Sequence, residues 1–217
     1  MKNQIRIDKY DHIFFDFDGV IKDSVEIKTN CFYEMFLPHG EKLAKKVKEH
    51  HLKNSGKSRF EKIPLYLKWA GFNLTPSLEN KYLENFKSKV VSDVINSKWV
   101  KGVEKFLKMN VYSQSFYLVT ATPQEEIEFI LSKIGLKEVF SSYFGSPLNK
   151  AKALDKIISG KALSRKKCFM IGDANVDLEA ARINKIDFVL REHDHNTFLS
   201  SDKRIKYKIK DFEAFNE

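Results

Sequence analysis

Short apolar runs that end in polar residues recur along the chain. The clearest cover residues 13–15, 116–119 and 168–171. Runs this short, rich in β-branched and aromatic residues, are typical of strands buried on both faces of a parallel sheet. Weaker patterns predict further strands over 139–144 and 187–190.

Apolar residues at helical spacing predict helices between these runs. Four follow one another after the first strand, over 27–36, 41–52, 60–70 and 78–95, the third with Pro64 near its start. Shorter helices are predicted over 103–109, 151–158 and 177–183, and another opens at 122–125. Strands that alternate with helices indicate βαβ units, so we predict an α/β fold with a Rossmann-like parallel sheet.

The four consecutive helices interrupt this alternation and predict an inserted helical module. We place the module at residues 24–97. The α/β core domain is then built from residues 1–23 and 98–217.

The composition is that of an ordinary globular protein, with 42% hydrophobic and 31% charged residues among 217. The net charge of +9 would attract anions, from phosphorylated metabolites to nucleic acid. The excess is lysine dispersed along the chain, whereas nucleic-acid-binding proteins cluster their basic residues and use arginine heavily. We therefore interpret the charge as a solvated surface, with nucleic-acid binding as the weaker alternative.

The cysteine pattern and the apolar content indicate the compartment. Cys31 and Cys168 lie far apart within apolar segments, which favours free buried thiols over a disulfide. Residues 1–12 carry no apolar run of signal-peptide type, and no apolar stretch approaches the length that spans a membrane. These features predict a cytoplasmic protein.

Polar side chains follow three of the predicted strands. Asp16 and Asp18 follow the first, Thr120 the second and Asp173 the third. Because open α/β sheets bind ligands at the carboxyl ends of their strands, we expect these groups to meet in one crevice. Side chains alternate along a strand, so Asp16 and Asp18 point to the same side, where their charges repel unless a cation or a proton compensates. Gly19 then lets the backbone turn away.

The order of these residues resembles the four motifs of the haloacid dehalogenase-like superfamily. The matching residues are 16–21 with Asp23, then Thr120, then Lys150, and finally Gly172 and Asp173 with Asp177. Lys150 is preferred over Lys152 because it follows Gly-Ser-Pro directly at the start of a helix. The inserted module resembles the helical cap of one large branch of this superfamily, which closes over the site. The resemblance therefore implies a Rossmann-like core domain with a helical cap domain.

The resemblance also implies the catalytic roles. Asp16 would attack phosphorus and form an aspartyl-phosphate. Asp18 would protonate the leaving oxygen and later activate water. Thr120 would donate a hydrogen bond to a phosphoryl oxygen, and Lys150 would neutralise charge on the nucleophile and the phosphoryl group.

A Mg²⁺ site follows from the same resemblance. Asp16, the backbone carbonyl of Asp18 and Asp173 would supply the oxygen ligands that this ion prefers. Asp177 would serve as an outer or alternative carboxylate.

Substrate contacts are expected at two places. Gly19 and Ala121 adjoin the motif residues and would contact the substrate. In the helical module, the loop residues Lys57, Ser58 and Arg59 are candidates for substrate recognition, and a solvated basic turn is an equally good interpretation. The histidines at 50–51 and 193–195 lack partners at metal-site spacing, so we interpret them as solvated.

The acid at position 18 favours phosphate-ester transfer among the reactions of the superfamily, because the dehalogenases and phosphonatases of this superfamily lack an acid at this position. We predict a Mg²⁺-dependent phosphatase that acts on a small phosphorylated metabolite, such as a sugar phosphate or a phosphoglycolate-like acid. One alternative is a phosphomutase on the same scaffold, although Lys28 stands where phosphoglucomutase-like members carry a histidine. Ala174 and Asn184 also depart from common family residues. A nucleic-acid-binding or end-processing protein is the remaining alternative.

Overall fold

The computed structural model describes residues 5–216, and the strands within them form one six-stranded sheet. The strands are β1 (His12–Phe15), β2 (Ser115–Pro123), β3 (Ser142–Ser146), β4 (Cys168–Gly172), β5 (Asp187–Arg191) and β6 (Tyr207–Ile209). Their order is β3-β2-β1-β4-β5-β6, and every neighbouring pair is parallel. This confirms the predicted α/β fold with a Rossmann-like parallel sheet.

Strand β1 lies at the centre of the sheet, between β2 and β4. Its residues Phe14 and Phe15 are fully buried, each in a hydrophobic core on one face of the sheet. Phe14 stacks on Tyr117 with ring centroids 4.9 Å apart, whereas Phe15 meets Phe116 edge to face. A parallel strand covered on both faces has no solvent-facing side, which explains the uninterrupted apolar run.

Some helices pack against this sheet, and the first four along the chain pack against one another. They are α1 (Val25–Phe36), α2 (Glu41–Lys53), α3 (Arg59–Trp69), α4 (Pro76–Asn96), α5 (Val103–Met109), α6 (Gln124–Lys133), α7 (Lys150–Gly160) and α8 (Asn175–Ile183). Helix α1 packs against α2 and α4, and α3 packs against α4. Phe32 of α1 joins them, with its ring centroid 5.4 Å from that of Tyr66 and 4.3 Å from that of Phe86. The division at residues 24 and 97 stays a prediction.

The structure differs from the sequence-based elements in three places. Strand β2 continues to Pro123, so Thr120 lies within the strand and not at its end. Strand β6 was not predicted, because its three residues are only half-buried and carry no apolar run. Pro64 lies inside α3 and not near its start. Its missing N–H leaves the carbonyl of Phe60 without a helical partner, which is tolerated because Phe60 is exposed to solvent.

Both cysteines are buried and free, as the sequence predicts. Within residues 5–216, no helix combines the length and the apolar character needed to cross a bilayer.

Candidate active site

Asp16 extends the central strand and is fixed by both backbone and side-chain contacts. Its N–H donates to the carbonyl of Ile171 at 3.0 Å, and its Oδ1 accepts from the N–H of Phe17 at 2.7 Å. The Oδ2 atom lies 2.6 Å from Nζ of Lys150, the first residue of α7. Lys152 is exposed, so Lys150 is the lysine that contacts Asp16.

Lys150 bridges two buried carboxylates. Its Nζ also donates to Oδ1 of Asp177 at 2.6 Å. Burial alone would lower the pKa of Lys150, but the charges of Asp16 and Asp177 raise it above its ordinary value. The ammonium therefore stays charged. The other oxygen of Asp177 accepts from the N–H of Ala174, and a Cβ at Gly172 would collide with the Asp177 side chain.

Asp18 lies in a different setting, held by three donors from the start of α1 and from β2. Its Oδ1 accepts from the hydroxyl of Ser24 at 2.6 Å. Its Oδ2 accepts from Nζ of Lys28 and from the hydroxyl of Thr122, the latter at 3.2 Å. Burial raises the pKa of Asp18, but Lys28 and the two hydroxyls outweigh it and hold the pKa below its usual value. The carboxylate is thus ionised before substrate binds.

Asp173, directly after β4, contacts a histidine that we had interpreted as solvated. Its Oδ2 lies 2.9 Å from Nε2 of His193, and its backbone carbonyl accepts from the side-chain amide of Asn196 at 2.8 Å. The solvated interpretation was wrong for His193, whose side chain is 10% exposed, because β5 ends at the same edge of the sheet. It holds for His195, which is exposed.

The interpretation was also wrong for His51, which is 3% exposed. Its Nδ1 lies 3.0 Å from Nζ of Lys62. The neighbouring His50 is partly buried and bonds the Tyr66 hydroxyl through its Nδ1 at 3.0 Å. The aromatic core between α2 and α3 therefore holds both rings.

Three carboxylates could hold a metal ion. Oxygens of Asp16, Asp173 and Asp177 lie within 4.8 Å of one another, and all three residues are buried. Burial, together with the charges of neighbouring carboxylates, raises the pKa of each. Because a hard divalent cation would compensate these charges, and Mg²⁺ prefers carboxylate oxygens, the donor set fits Mg²⁺. The side chain of Asp18 is not part of this cluster. The predicted metal ligand from Asp18 is its backbone carbonyl and not its carboxylate.

The remaining core residues lie around these carboxylates. Thr120 is buried, and its Oγ1 accepts from the N–H of Thr122 at 3.2 Å, which leaves the hydroxyl hydrogen free to donate. Gly19 has a φ of 74°, and a Cβ there would run into the Asp173 carboxylate. Ala121 lies between the two threonines and lines the cavity described next.

A central cavity of about 40 Å³ lies between the sheet edge and the helices. The core contributes Asp16, Asp18, Ala121, Thr122 and Asp173 to its walls, and Lys28 lines it from the start of α1 in the helical module. The helical module adds Phe32, His51, Lys57, Arg59, Lys62 and Phe86. Space of this size accepts a few water-sized groups.

The three candidates for substrate recognition separate in the structure. Lys57 is exposed at the rim of the central cavity. Ser58 caps α3, because its Oγ accepts from the N–H of Phe60 at 3.3 Å. Arg59 is buried and makes a two-fold hydrogen bond to Glu126 of α6, at 3.0 and 2.7 Å. A solvated turn is therefore wrong for Arg59, whose charge ties α3 to the core.

Sequence reasoning missed several residues of this site. Thr122 follows Thr120 by two positions on a strand, and that alternation was a usable signal. His193 follows a predicted strand, which was the signal used for Asp16. Lys28 contacts Thr122, which lies 94 positions away, and no local pattern indicates that contact. Lys62 contacts His51 and Ser55 nearby in the chain, but its burial could not be predicted from spacing.

The fold and the site define the class of protein: an α/β enzyme with an acidic centre at the carboxyl edge of a parallel sheet, covered by inserted helices. The model of one family, haloacid dehalogenase-like hydrolases, matches residues 13–191. The chain therefore belongs to the haloacid dehalogenase-like hydrolase family.

Solved structures share this fold at low sequence identity. β-Phosphoglucomutase from Clostridium difficile is 18% identical with a TM-score of 0.75, covering 94% of this chain and 92% of that one. A predicted phosphoglycolate phosphatase from Haemophilus somnus is 17% identical with a TM-score of 0.72, covering 95% and 96%. A hydrolase of the same superfamily from Bacillus subtilis, described as bound to magnesium, is 16% identical with a TM-score of 0.66, covering 95% and 96%. Comparison with curated proteins gives no match.

Proposed function

We propose that this chain is a Mg²⁺-dependent phosphatase that hydrolyses a small phosphorylated metabolite through an aspartyl-phosphate on Asp16. The observation that carries the proposal is the contrast between two neighbouring carboxylates. Asp16 lies 2.6 Å from the buried ammonium of Lys150, whereas Asp18 is held by a different lysine and two hydroxyls. Two acids in separate environments can take two separate roles.

In the first step, an oxygen of Asp16 forms a bond to phosphorus while the bond from phosphorus to the leaving oxygen breaks. Lys150 reduces the repulsion between the carboxylate and the incoming phosphoryl group, and Thr120 donates its free hydroxyl hydrogen to a phosphoryl oxygen. Asp18 transfers a proton to the leaving oxygen. Asp18, ionised before substrate binds, takes this proton from solvent water as the phosphoryl dianion approaches, because nearby negative charge favours the neutral carboxyl.

In the second step, Asp18 takes a proton from water while the water oxygen attacks phosphorus. The bond between phosphorus and the Asp16 oxygen breaks, which releases inorganic phosphate and restores the Asp16 carboxylate. Asp18 then returns its proton to solvent, which restores its ionised form. Mg²⁺, held by Asp16 and Asp173 with Asp177 nearby, would supply positive charge to offset that of the phosphoryl oxygens.

The size of the central cavity supports a small leaving group. A volume of about 40 Å³ holds a few water-sized groups, which agrees with a small phosphorylated metabolite. The buried free thiols of Cys31 and Cys168 agree with the reducing cytoplasm that we propose as the location.

The test is phosphate release from a panel of phosphorylated metabolites, with Mg²⁺ and with the ion removed by a chelator. We expect Mg²⁺-dependent release that falls by at least about 10³-fold in Asp16→Asn. Asp11→Asn is the matched control, because Asp11 precedes the same strand but is exposed. Wild-type turnover in Asp16→Asn would refute the nucleophile. Conversion between phosphate isomers without free phosphate would identify a phosphomutase instead.

A further inference from the structure

Lys62 is a buried cation without a carboxylate partner. The residue is 2% exposed on α3, and its Nζ donates to Nδ1 of His51 at 3.0 Å and to the carbonyl of Ser55 at 3.3 Å. Over residues 5–216, no carboxylate oxygen lies within 4.0 Å of this atom. Because an ammonium carries three N–H donors, one remains for a ligand.

The other buried cations of the central cavity are neutralised. Lys28 is paired with Asp18, and Arg59 is paired with Glu126. Burial and the nearby positive charge of Lys28 hold the pKa of Lys62 well below its usual value, and the more distant charge of Asp18 offsets only part of this effect. Burial therefore disfavours the charged form of Lys62, and an anion that binds beside Nζ would favour the ammonium and be held by it.

The surroundings of Lys62 would strengthen an interaction with an anion. Its Nζ lies 5.7 Å from the ring centroid of Phe32, and Phe86 lines the same cavity. Attraction between opposite charges is stronger among such apolar groups than in water. His51 adds no charge, because burial and Lys62 lower its pKa well below the ordinary value, and its neutral ring accepts from the ammonium.

Lys62 and the proposed phosphoryl site lie on different elements around one cavity. Asp16 and Lys150 would hold the transferred phosphoryl group from the core, whereas Lys62 enters the same cavity from the helical module. A ligand bound between them places its phosphoryl group at the core and its leaving group against α3. The charge on Lys62 therefore selects for charge on the leaving group.

Resting on the proposed phosphatase function, we infer that Lys62 binds an oxyanion carried by the leaving group of the substrate. The substrate class is then a phosphate monoester with a second anionic group, either a carboxylate or a further phosphate. The small cavity favours the carboxylate of a short phosphorylated hydroxy acid.

The test compares three inert ligands by isothermal titration calorimetry in the presence of Mg²⁺. Propylphosphonate and 3-phosphonopropionate differ in a methyl against a carboxylate, and propane-1,3-bisphosphonate carries a second phosphonate. We expect the wild type to bind 3-phosphonopropionate about ten- to a hundredfold more tightly than propylphosphonate. Lys62→Met should abolish this preference, because it weakens the binding of 3-phosphonopropionate much more than that of propylphosphonate.

Two further variants complete the design. Lys62→Gln keeps a polar group near His51 and replaces Lys62→Met in the comparison if that variant does not fold. Lys53→Met removes an exposed lysine at the end of α2 and should keep the full preference.

The inference is overturned if the wild type binds none of the ligands, if it shows no preference, or if the preference survives in Lys62→Gln or Lys62→Met. Tighter binding of the bisphosphonate than of the carboxylate would identify a second phosphate as the oxyanion. Because no ligand is hydrolysed, the outcome is independent of turnover. If the protein releases phosphate but shows no binding preference, only the proposed role of Lys62 is refuted. If it shows the preference but releases no phosphate from any substrate, the phosphatase function is refuted and the anion site is retained.

Discussion

The ion pair between Arg59 of α3 and Glu126 of α6 predicts a large effect on stability. Both side chains are almost fully buried, at 5% and 8% exposure, and two hydrogen bonds join them. The guanidinium carbon of Arg59 also lies 4.4 Å from the ring centroid of Phe86. The perturbation is Arg59→Met, which keeps an apolar contact with Phe86 but leaves the Glu126 carboxylate buried and unpaired.

The expected loss of stability is large because the remaining Glu126 carboxylate is buried and cannot be solvated by water. Hydrogen bonds to charged groups contribute about 1.5–3 kcal/mol each, so two of them give about 3–6 kcal/mol. Removal of one partner from a buried ion pair costs about 3–5 kcal/mol in other proteins. We therefore expect Arg59→Met to lower the free energy of unfolding by about 4 kcal/mol. The double variant Arg59→Met/Glu126→Met should lie within about 1 kcal/mol of the wild type, since no unpaired charge remains.

Urea unfolding measures these values by two probes. Far-UV circular dichroism follows the whole chain, and tryptophan fluorescence includes Trp69 at the end of α3. Arg182→Met is the matched control, because Arg182 pairs with Glu179 in an exposed i,i+3 contact. It should change the free energy of unfolding by less than about 0.5 kcal/mol.

An effect of Arg59→Met as small as that of the control would refute the reasoning. It would mean that water reaches the pair in solution, and hence that α3 does not stay seated on α6. A destabilised double variant would refute it differently, because the loss would then come from packing and not from an unpaired charge.

Three further predictions concern the acidic centre. Lys150→Met should reduce turnover by about 10²–10³-fold in steady-state kinetics, whereas Lys152→Met, at an exposed position on the same helix, should not. His193→Ala should weaken Mg²⁺ binding by about 10–100-fold in a metal titration, since His193 orients Asp173; unchanged affinity would exclude that role. Lys28→Met should lower kcat by about tenfold or more, because Asp18 loses the cation that positions it. An unaltered kcat would show that the hydroxyls suffice.

The fold was predictable where local pattern and burial agree. The run of Ile13 to Phe15 predicts a doubly covered strand, and β1 is the central strand of the sheet. Because ligands bind at the carboxyl ends of the strands in open α/β sheets, the sequence alone predicted that Asp16, Asp18 and Asp173 meet in one crevice. Strand β6 was not predictable, because its alternation is too short to distinguish from a loop.

The contacts between the helices and the core could not be obtained from spacing. Arg59 and Glu126 are separated by 67 positions, and nothing local to either residue indicates that they meet. The sequence predicted Arg59 as a candidate for substrate recognition, whereas the packing shows that Glu126 already neutralises its charge. The same packing leaves Lys62 buried without a counter-charge, although both residues lie on one helix.

Strand β1 is synthesised long before the strands that pair with it. Its partners at Ser115 and Cys168 follow His12 by about 100 and 150 residues, which is roughly 5–30 s of translation at ~5–20 residues per second. During that interval an apolar segment with strong strand propensity has no native neighbour and is open to association with other chains. Charged residues that flank such a segment oppose association. The two acids proposed for catalysis, Asp16 and Asp18, are thus also the first negative charges that follow this apolar segment.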